Sequence, residues 1–350
     1  MKPNNATRAT APVELPDAAR VAEAKRLIRT SLVTRVLDVI GDRWTILILR
    51  ALHAGEQRFD WLQSLLRISR STLASRLADL EHYGLIARDA YQTRPVRFAY
   101  RLTGRGQDTF SILHTIHRWD QTWGPDTSIP AGGRARRTVK AEASGRAEEF
   151  THTACGHVFQ PILCCAHCHA PITARDMRYR DGPGIALKPN VPAVPRRARR
   201  KTTPDESTSL TVLTAADLLV DRWTALIISC AFFGLRRFSD MQAALDIAPN
   251  ILSRRLVQLT GSGIFARHIY QERPRRWQYI MTEKGFDIFP ITVGLLAWGD
   301  RWLAQDGKPP LALQHRSCGK PLRLELTCGH CRRPTTPDTL RPAATLAIVR

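Results

Sequence analysis

The chain repeats itself, and that limits its architecture more than any other feature. Asp42-Arg43-Trp44-Thr45 recurs 179 positions later as Asp221-Arg222-Trp223-Thr224. The same offset maps Arg58-Phe59 onto Arg237-Phe238, Arg76-Leu77 onto Arg255-Leu256 and Gly84 onto Gly263. It also maps Tyr91-Gln92 onto Tyr270-Gln271, Arg94-Pro95 onto Arg273-Pro274, and Gly106, Trp119 and Trp123 onto Gly285, Trp298 and Trp302. No gap is needed between residues 37–123 and 216–302, so one small domain has been duplicated within a single polypeptide. With 43% apolar residues, each copy has the material for its own core.

Within the first copy, Trp44 to Leu52 is apolar on nearly every face and suits a buried helix that Gly55 can stop. Asp60 is placed to cap a short helix, Trp61 to Leu66, with Ser239 at the same position of the second copy. After Arg67-Ile68-Ser69, Ser69 is the natural N-cap of a longer helix whose Leu73, Leu77 and Leu80 share one face, and Gly84 closes it. A short helix, a tight turn and a longer helix make a helix-turn-helix. The outer face of the second helix carries Ser69, Arg70, Ser71, Thr72, Ser75, Arg76 and Asp79. Small hydroxyls and guanidiniums there can approach base edges in a major groove. The matching helix of the second copy, near 248–258, offers Asn250, Ser253, Arg254 and Arg255. Residues 85–91 and 96–102 flank a Pro-containing loop and read as a β-hairpin, a wing whose Arg94 and Arg97 would reach phosphate or the minor groove. Arg273, Arg275 and Arg276 are the counterparts in the second copy. Thr103 is placed to cap a last helix running to about Trp123. Its Phe110, Ile112, Ile116, Trp119 and Trp123 suit either a dimer-like interface or a plain core helix.

Charge narrows the class of partner. Lys plus Arg number 52 against 31 Asp plus Glu, a net charge of +21, with a pI of about 10.5. Such a surplus attracts polyanions, nucleic acid or an anionic surface. The longest apolar stretch, Trp223 to Leu235, is too short to span a bilayer. Met1 to Arg20 lacks an apolar core and reads as a disordered leader, taken to residue 25, rather than an export signal. The expected location is the cytoplasm, at the nucleoid. There, eight cysteines more often hold metal than form disulfides.

Six of those cysteines follow a fixed pattern. His152-x₂-Cys155 precedes Cys165-x₂-Cys168, and His315-x₂-Cys318 precedes Cys328-x₂-Cys331, each reading H-x₂-C-x₉-C-x₂-C. This pattern recurs at 163 positions, so the connector ahead of it is 16 residues shorter in the second copy while the ligand spacing is kept. Two close pairs about ten residues apart can converge on one tetrahedral ion. Three thiolates and an imidazole are a structural zinc set with no position open for a catalytic water. The expectation is two structural zinc ions, one per module. Cys164, beside Cys165, is an alternative ligand, His157, His167 and His169 are further candidates, and Cys230 reads as a core residue.

Several of these motifs together resemble the HxlR-type winged-helix regulators. The resemblance is carried by Leu37 to Arg50, by Arg58-Phe59, by Leu73 to Leu80, by Gly84-Leu85-Ile86 with Arg88, by the Tyr91-to-Pro95 loop and by Tyr100 to Thr103. It covers both repeats, about half the chain. The second copy departs more, with Val220 before Asp-Arg-Trp and Ala248-Pro249-Asn250 opening its recognition helix. The resemblance implies a bacterial transcription factor that binds double-stranded DNA and is no enzyme. Such factors pair as homodimers, and here two copies in one chain could form the pseudo-dimer internally, with further homodimer pairing possible. Ser31 and Leu210 stand where many members carry a sensing cysteine.

The expected fold is therefore mainly α with small β wings: two winged helix-turn-helix domains plus two small zinc-ribbon-like modules. The expected division is a leader over 1–25, winged domains over 26–125 and 207–305, linkers over 126–148 and 183–206, and zinc modules over 149–182 and 312–340. Alternative readings are a protein-interaction scaffold and a zinc-thiol redox sensor. The residues name no effector and no operator, and do not separate repressor from activator.

Overall fold

The structure, a computed structural model, describes residues 17–55, 57–94, 96–124, 150–187 and 222–342. The two linkers' central parts, the Pro195-to-Lys201 run, Leu210, Val220 and Asp221 lie outside these residues. The first half runs α1 (Asp17–Thr30), α2 (Val33–Ile40), α3 (Arg43–His53), α4 (Phe59–Leu66) and α5 (Arg70–His82). It continues through the hairpin β1 (Ile86–Thr93) and β2 (Val96–Leu102) to α6 (Gly104–Gln107) and α7 (Phe110–Trp123). Three short strands follow: β3 (Phe150–His152), β4 (Pro161–Cys165) and β5 (Met177–Asp181). The second half repeats the order with α8 (Arg222–Phe232), α9 (Phe238–Leu245), α10 (Pro249–Gly261), β6 (Phe265–Glu272), β7 (Arg275–Met281), α11 (Glu283–Phe286) and α12 (Phe289–Trp302). It ends on β8 (Leu311–His315), β9 (Leu324–Cys328) and β10 (Leu340–Pro342). No helix of the described residues is long and apolar enough to cross a membrane.

Helix α3 is the centre of the first domain. From Trp44 to Leu52 every side chain but Arg50 is buried, as its apolar density predicts. Asp42 caps it, accepting from the Thr45 amide at 3.2 Å. Several boundaries differ from expectation. The leader stops early, because α1 begins at Asp17 and buries Ala24, Leu27 and Ile28. Helix α4 starts at Phe59, so Asp60 lies inside its first turn and caps nothing; Ser239 sits likewise in α9. The chain enters both helices from a β-bridge to the wing, Arg58 with Ala99 and Arg237 with Gln278, and that bridge fixes the start one residue before the acid. The wing strand β1 extends two residues past Tyr91, through a bulge between Ala90 and Gln92.

The last helix is two helices. Thr103 caps α6, its Oγ1 accepting from the Gly106 amide at 3.3 Å while donating to Gly84 O at 2.6 Å. The chain breaks at Asp108-Thr109 before α7 begins. Gly106 explains the break: a Cβ there would lie 2.1 Å from Leu85 O, and at Gly285, its counterpart, 2.6 Å from Ile264 O. The backbone must press against the start of the wing at this point, and only glycine permits it.

The surplus of aromatics on α7 belongs to an interface between the halves. Trp119 Nε1 donates to Lys284 O at 3.1 Å, and its counterpart Trp298 Nε1 donates to Arg105 O at 3.0 Å. Trp123 Nε1 donates to Asp287 Oδ2 at 2.7 Å, and Trp302 Nε1 to Asp108 Oδ2 at 2.8 Å. These four bonds form two pairs related by the 179-residue offset, the signature of an isologous contact within one chain. Arg105 lies over the Trp298 ring and Lys284 over the Trp119 ring. Helix α12 also packs on α2 so closely that a Cβ on Gly299 would meet Val36 Cγ2 at 2.7 Å. One continuous apolar core, from Ala24 to Leu303, runs through both halves.

The halves differ beneath this interface. His53, His114 and His117 occupy the positions of Phe232, Val293 and Leu296 in the second copy. Burial holds the His53 imidazole down at about 4 and His117 at about 3, and burial with the nearby His117 and Arg50 holds His114 well below its ordinary value. Unfolded histidine titrates near 6.5. The unfolded chain therefore binds more protons in acid, and stability that is full above pH 6.5 falls as pH drops toward 4. Asp300, pushed up to about 7 by burial, has the opposite sign and costs stability as pH rises through 7. Thermal unfolding at pH 5 should show a loss of about 1–2 kcal/mol for each of His53 and His117 relative to pH 7.5, partly offset by Asp300. His117→Leu, which copies the second half, should flatten that dependence; an unchanged pH profile would remove His117 from it.

Candidate nucleic-acid interface

The recognition helices are α5 and α10. Ser69 caps α5 by accepting from the Thr72 amide at 3.2 Å. Leu73, Leu77 and Leu80 are buried, with Leu252, Leu256 and Leu259 in the same places on α10. That packing turns Ser69, Arg70, Ser71 and Ser75 outward on one helix, and Asn250, Ser253 and Arg254 on the other. Thr72 is half-buried, with its Oγ1 2.7 Å from Ser69 Oγ, and so belongs to the cap. Asn250 Oδ1 accepts from the Ile251 amide at 2.9 Å, doing for α10 some of what Ser69 does for α5.

Arg76 and Arg255 do not stand with the outward set. Arg76 Nε is 3.0 Å from Asp42 Oδ1 and Nη1 is 3.2 Å from Asp79 Oδ2, and only 12% of its side chain is exposed. It joins the recognition helix to the cap of α3. Arg255 is half-buried and donates to Gln258 Oε1 at 3.0 Å. Both sit one residue closer to the leucine face than the outward positions, which turns them toward the domain. The sequence carried a signal for this: the Asp of Asp-Arg-Trp and this arginine recur together at the same offset.

The wings present Arg94, Arg97, Arg273, Arg275 and Arg276, all exposed. Arg97 Nη1 lies 3.6 Å from Asp60 Oδ2, and Arg275 lies 3.8 Å from Glu272 and over Trp277. Further up each wing, Arg58 and Arg237 lie over Tyr91 and Tyr270, and Arg88 and Arg267 over Phe98 and Trp277. These stacked pairs hold the guanidiniums of the wing base against aromatic rings, while the tip arginines stay exposed. One outward residue was missed: Val257 on α10 is 67% exposed, where Ala78 stands on α5. Apolar side chains there suit a thymine methyl.

The cysteine–histidine residues gather in two clusters, with a pairing that differs from expectation. Ligand atoms of His152, Cys155, Cys328 and Cys331 lie within 4.8 Å of one another, as do those of Cys165, Cys168, His315 and Cys318. Each cluster therefore draws one pair from each half, whereas the spacing suggested that each half closes on itself. The cause is strand pairing: β3 pairs with β10, β4 with β9 and β5 with β8, all antiparallel and all between halves. Cys165 is the cluster member; Cys164 is buried with its Sγ 3.3 Å from Thr327 Oγ1. His157 stacks on His330, and His169 lies 3.1 Å from Glu325. Neither His157, His167 nor His169 joins the two four-residue sets, though His157 and His330 lie close to Cys155. Cys230 is fully buried in α8, where burial raises its thiol pKa.

Comparison with known proteins identifies the family of the two repeats. The family model for the HxlR-like helix-turn-helix matches residues 39–128 and again 218–307. An uncharacterized HTH-type transcriptional regulator of Mycobacterium tuberculosis (strain H37Rv) is 40% identical over 128 residues, covering 37% of this chain and 81% of that protein. The HTH-type transcriptional regulator YodB of Bacillus subtilis is 30% identical over 94 residues, covering 26% and 84%. The solved structure of a candidate transcription factor from Pseudomonas aeruginosa is 40% identical and covers 33% of this chain and 78% of that one, with a TM-score of 0.28. With two winged helix-turn-helix domains paired inside one polypeptide, the chain belongs to the HxlR-like helix-turn-helix family and is a DNA-binding transcriptional regulator, not an enzyme.

Proposed function

We propose that a single chain reads an asymmetric operator, one half-site per recognition helix, at the nucleoid of the cytoplasm. One observation carries this reading: the two helices belong to one internally paired unit, yet their outward residues differ position by position. Arg70 faces Pro249 across the repeat, Ser71 faces Asn250, Ser75 faces Arg254 and Ala78 faces Val257. Arg254 suits a guanine edge, Asn250 an adenine, and the serines of α5 read either. Arg94, Arg97, Arg273, Arg275 and Arg276 supply phosphate or minor-groove contacts that orient the protein without choosing sequence. Internal pairing does the work for which other winged-helix regulators need a second subunit, so one chain per operator is expected.

Footprinting on the promoter region of its own gene, across a salt series, tests this. Arg254→Ala should cost about 1–3 kcal/mol and relax sequence preference in one half-site only. Arg94→Ala with Arg273→Ala should weaken all sequences alike and lower the salt slope by about 2. Two equal half-sites, or two chains per operator, would overturn the asymmetric reading.

A further inference from the structure

The crossed clusters have the ligand spacing of two metal sites. In the first, His152 Nδ1 lies 3.4 Å from Cys155 Sγ and 3.3 Å from Cys331 Sγ, and Cys155 Sγ lies 4.0 Å from Cys328 Sγ. In the second, His315 Nδ1 lies 3.4 Å from Cys318 Sγ and 3.3 Å from Cys168 Sγ, and Cys165 Sγ lies 3.9 Å from Cys318 Sγ. An ion about 2.3 Å from sulfur and about 2.0–2.1 Å from nitrogen has tetrahedral edges of about 3.8 Å (S···S) and about 3.5 Å (S···N). The observed edges match both.

The backbone is shaped for the same purpose. All four ligand pairs close an identical turn, in which the amide just after the pair returns to the first ligand's carbonyl. Gly156 N bonds His152 O, His169 N bonds Cys165 O, Gly319 N bonds His315 O and Arg332 N bonds Cys328 O, each at 2.8 Å. Each of these four residues has positive φ, between 58° and 71°. Glycine meets that need twice; His169 and Arg332 accept a left-handed conformation that their side chains disfavour. Both imidazoles are fully buried and turn Nδ1 to the thiols. His315 Nε2 lies 2.9 Å from Asp176 Oδ2, close to an outer carboxylate but without hydrogen-bond geometry.

We propose that the chain holds two zinc ions, each bound by one ligand pair from either half, so that the metals staple the C-terminal ribbons of the two repeats together. Three thiolates and one imidazole suit zinc. The staple reaches the first winged domain where Arg118 of α7 donates to Pro161 O of β4 at 3.0 Å and His114 packs on Phe150 and Phe159. On the other side Tyr179 of β5 packs on Phe233, just past α8. The proposal stands on ligand geometry alone and does not depend on how the operator is read.

Metal counting on the full chain separates crossed from uncrossed sites. Wild type should carry two zinc per chain. Cys155→Ser with Cys331→Ser strikes a single crossed site and should leave one zinc; Cys155→Ser with Cys168→Ser strikes both and should leave none. Uncrossed sites give the reverse pattern, which would overturn the proposal, as would a zinc-reconstituted wild type that retains no metal. Disulfide mapping guards against variants that misfold. In Cys331→Ser, stripped of metal and oxidised with diamide, Cys155 should pair with Cys328; pairing with Cys165 or Cys168 would place its partners within its own half.

Discussion

Trp298→Ala is expected to destabilise the protein by about 3–5 kcal/mol, the range for emptying a buried tryptophan site. Trp298 is 3% exposed, donates to Arg105 O at 3.0 Å and lies beneath the Arg105 guanidinium. Truncation would open a cavity at the seam, take the indole donor from the part-buried Arg105 carbonyl and remove the cation–π contact together. Trp119→Ala should cost a similar amount, because Trp119 is 2% exposed and makes the matching bond to Lys284 O. The seam is also what spaces the recognition helices, so operator affinity should fall with stability. Trp61→Ala is the control: that ring is 45% exposed on α4 and should change stability far less. Urea unfolding checks the set. A Trp298→Ala loss no larger than that of Trp61→Ala would mean the halves are not held together at this seam.

Arg76→Ala is the second large effect, expected at about 2–4 kcal/mol. Breaking a nearly buried ion pair leaves the surviving charge without a partner. Asp42, 14% exposed in its side chain, would keep the Thr45 amide and hydroxyl but no charged partner, and the cap of α3 would weaken with it. Arg76→Lys should rescue little, because the planar guanidinium reaches Asp42 through Nε and Asp79 through Nη1 at once. A double-mutant cycle with Asp42→Ala should give a clear coupling energy. Arg70→Ala, on the exposed side of the same helix, should weaken DNA binding while the melting temperature holds. If Arg76→Ala instead weakened DNA binding at unchanged stability, Arg76 would be a groove contact after all.

These two residues mark where sequence reading stopped. Local pattern gave the duplication, the buried α3, the leucine face of α5 and the wing, because each is set by residues a few positions apart. It also gave the family, through motifs that keep their order. Boundaries shifted where a distant strand intervened, as at Phe59, where the bridge to the wing starts α4 ahead of Asp60. Arg76 looked like a DNA contact because helical spacing puts it near the exposed face, while its partner Asp42 lies 34 positions away.

The ligand spacing shows the same division at longer range. By itself the sequence determined which eight side chains can bind metal and that they come in pairs. It could not determine which pairs meet. H-x₂-C-x₉-C-x₂-C is as compatible with closure inside one segment as with exchange between two, since both satisfy the same local turn. The tertiary structure decided it, because β4 pairs with β9 and β3 with β10 across the pseudo-symmetric halves. Hydrogen-bonding of strands from opposite halves carries Cys328 and Cys331 to His152 and Cys155, and a strand's choice of partner is a non-local contact that spacing within one segment does not encode.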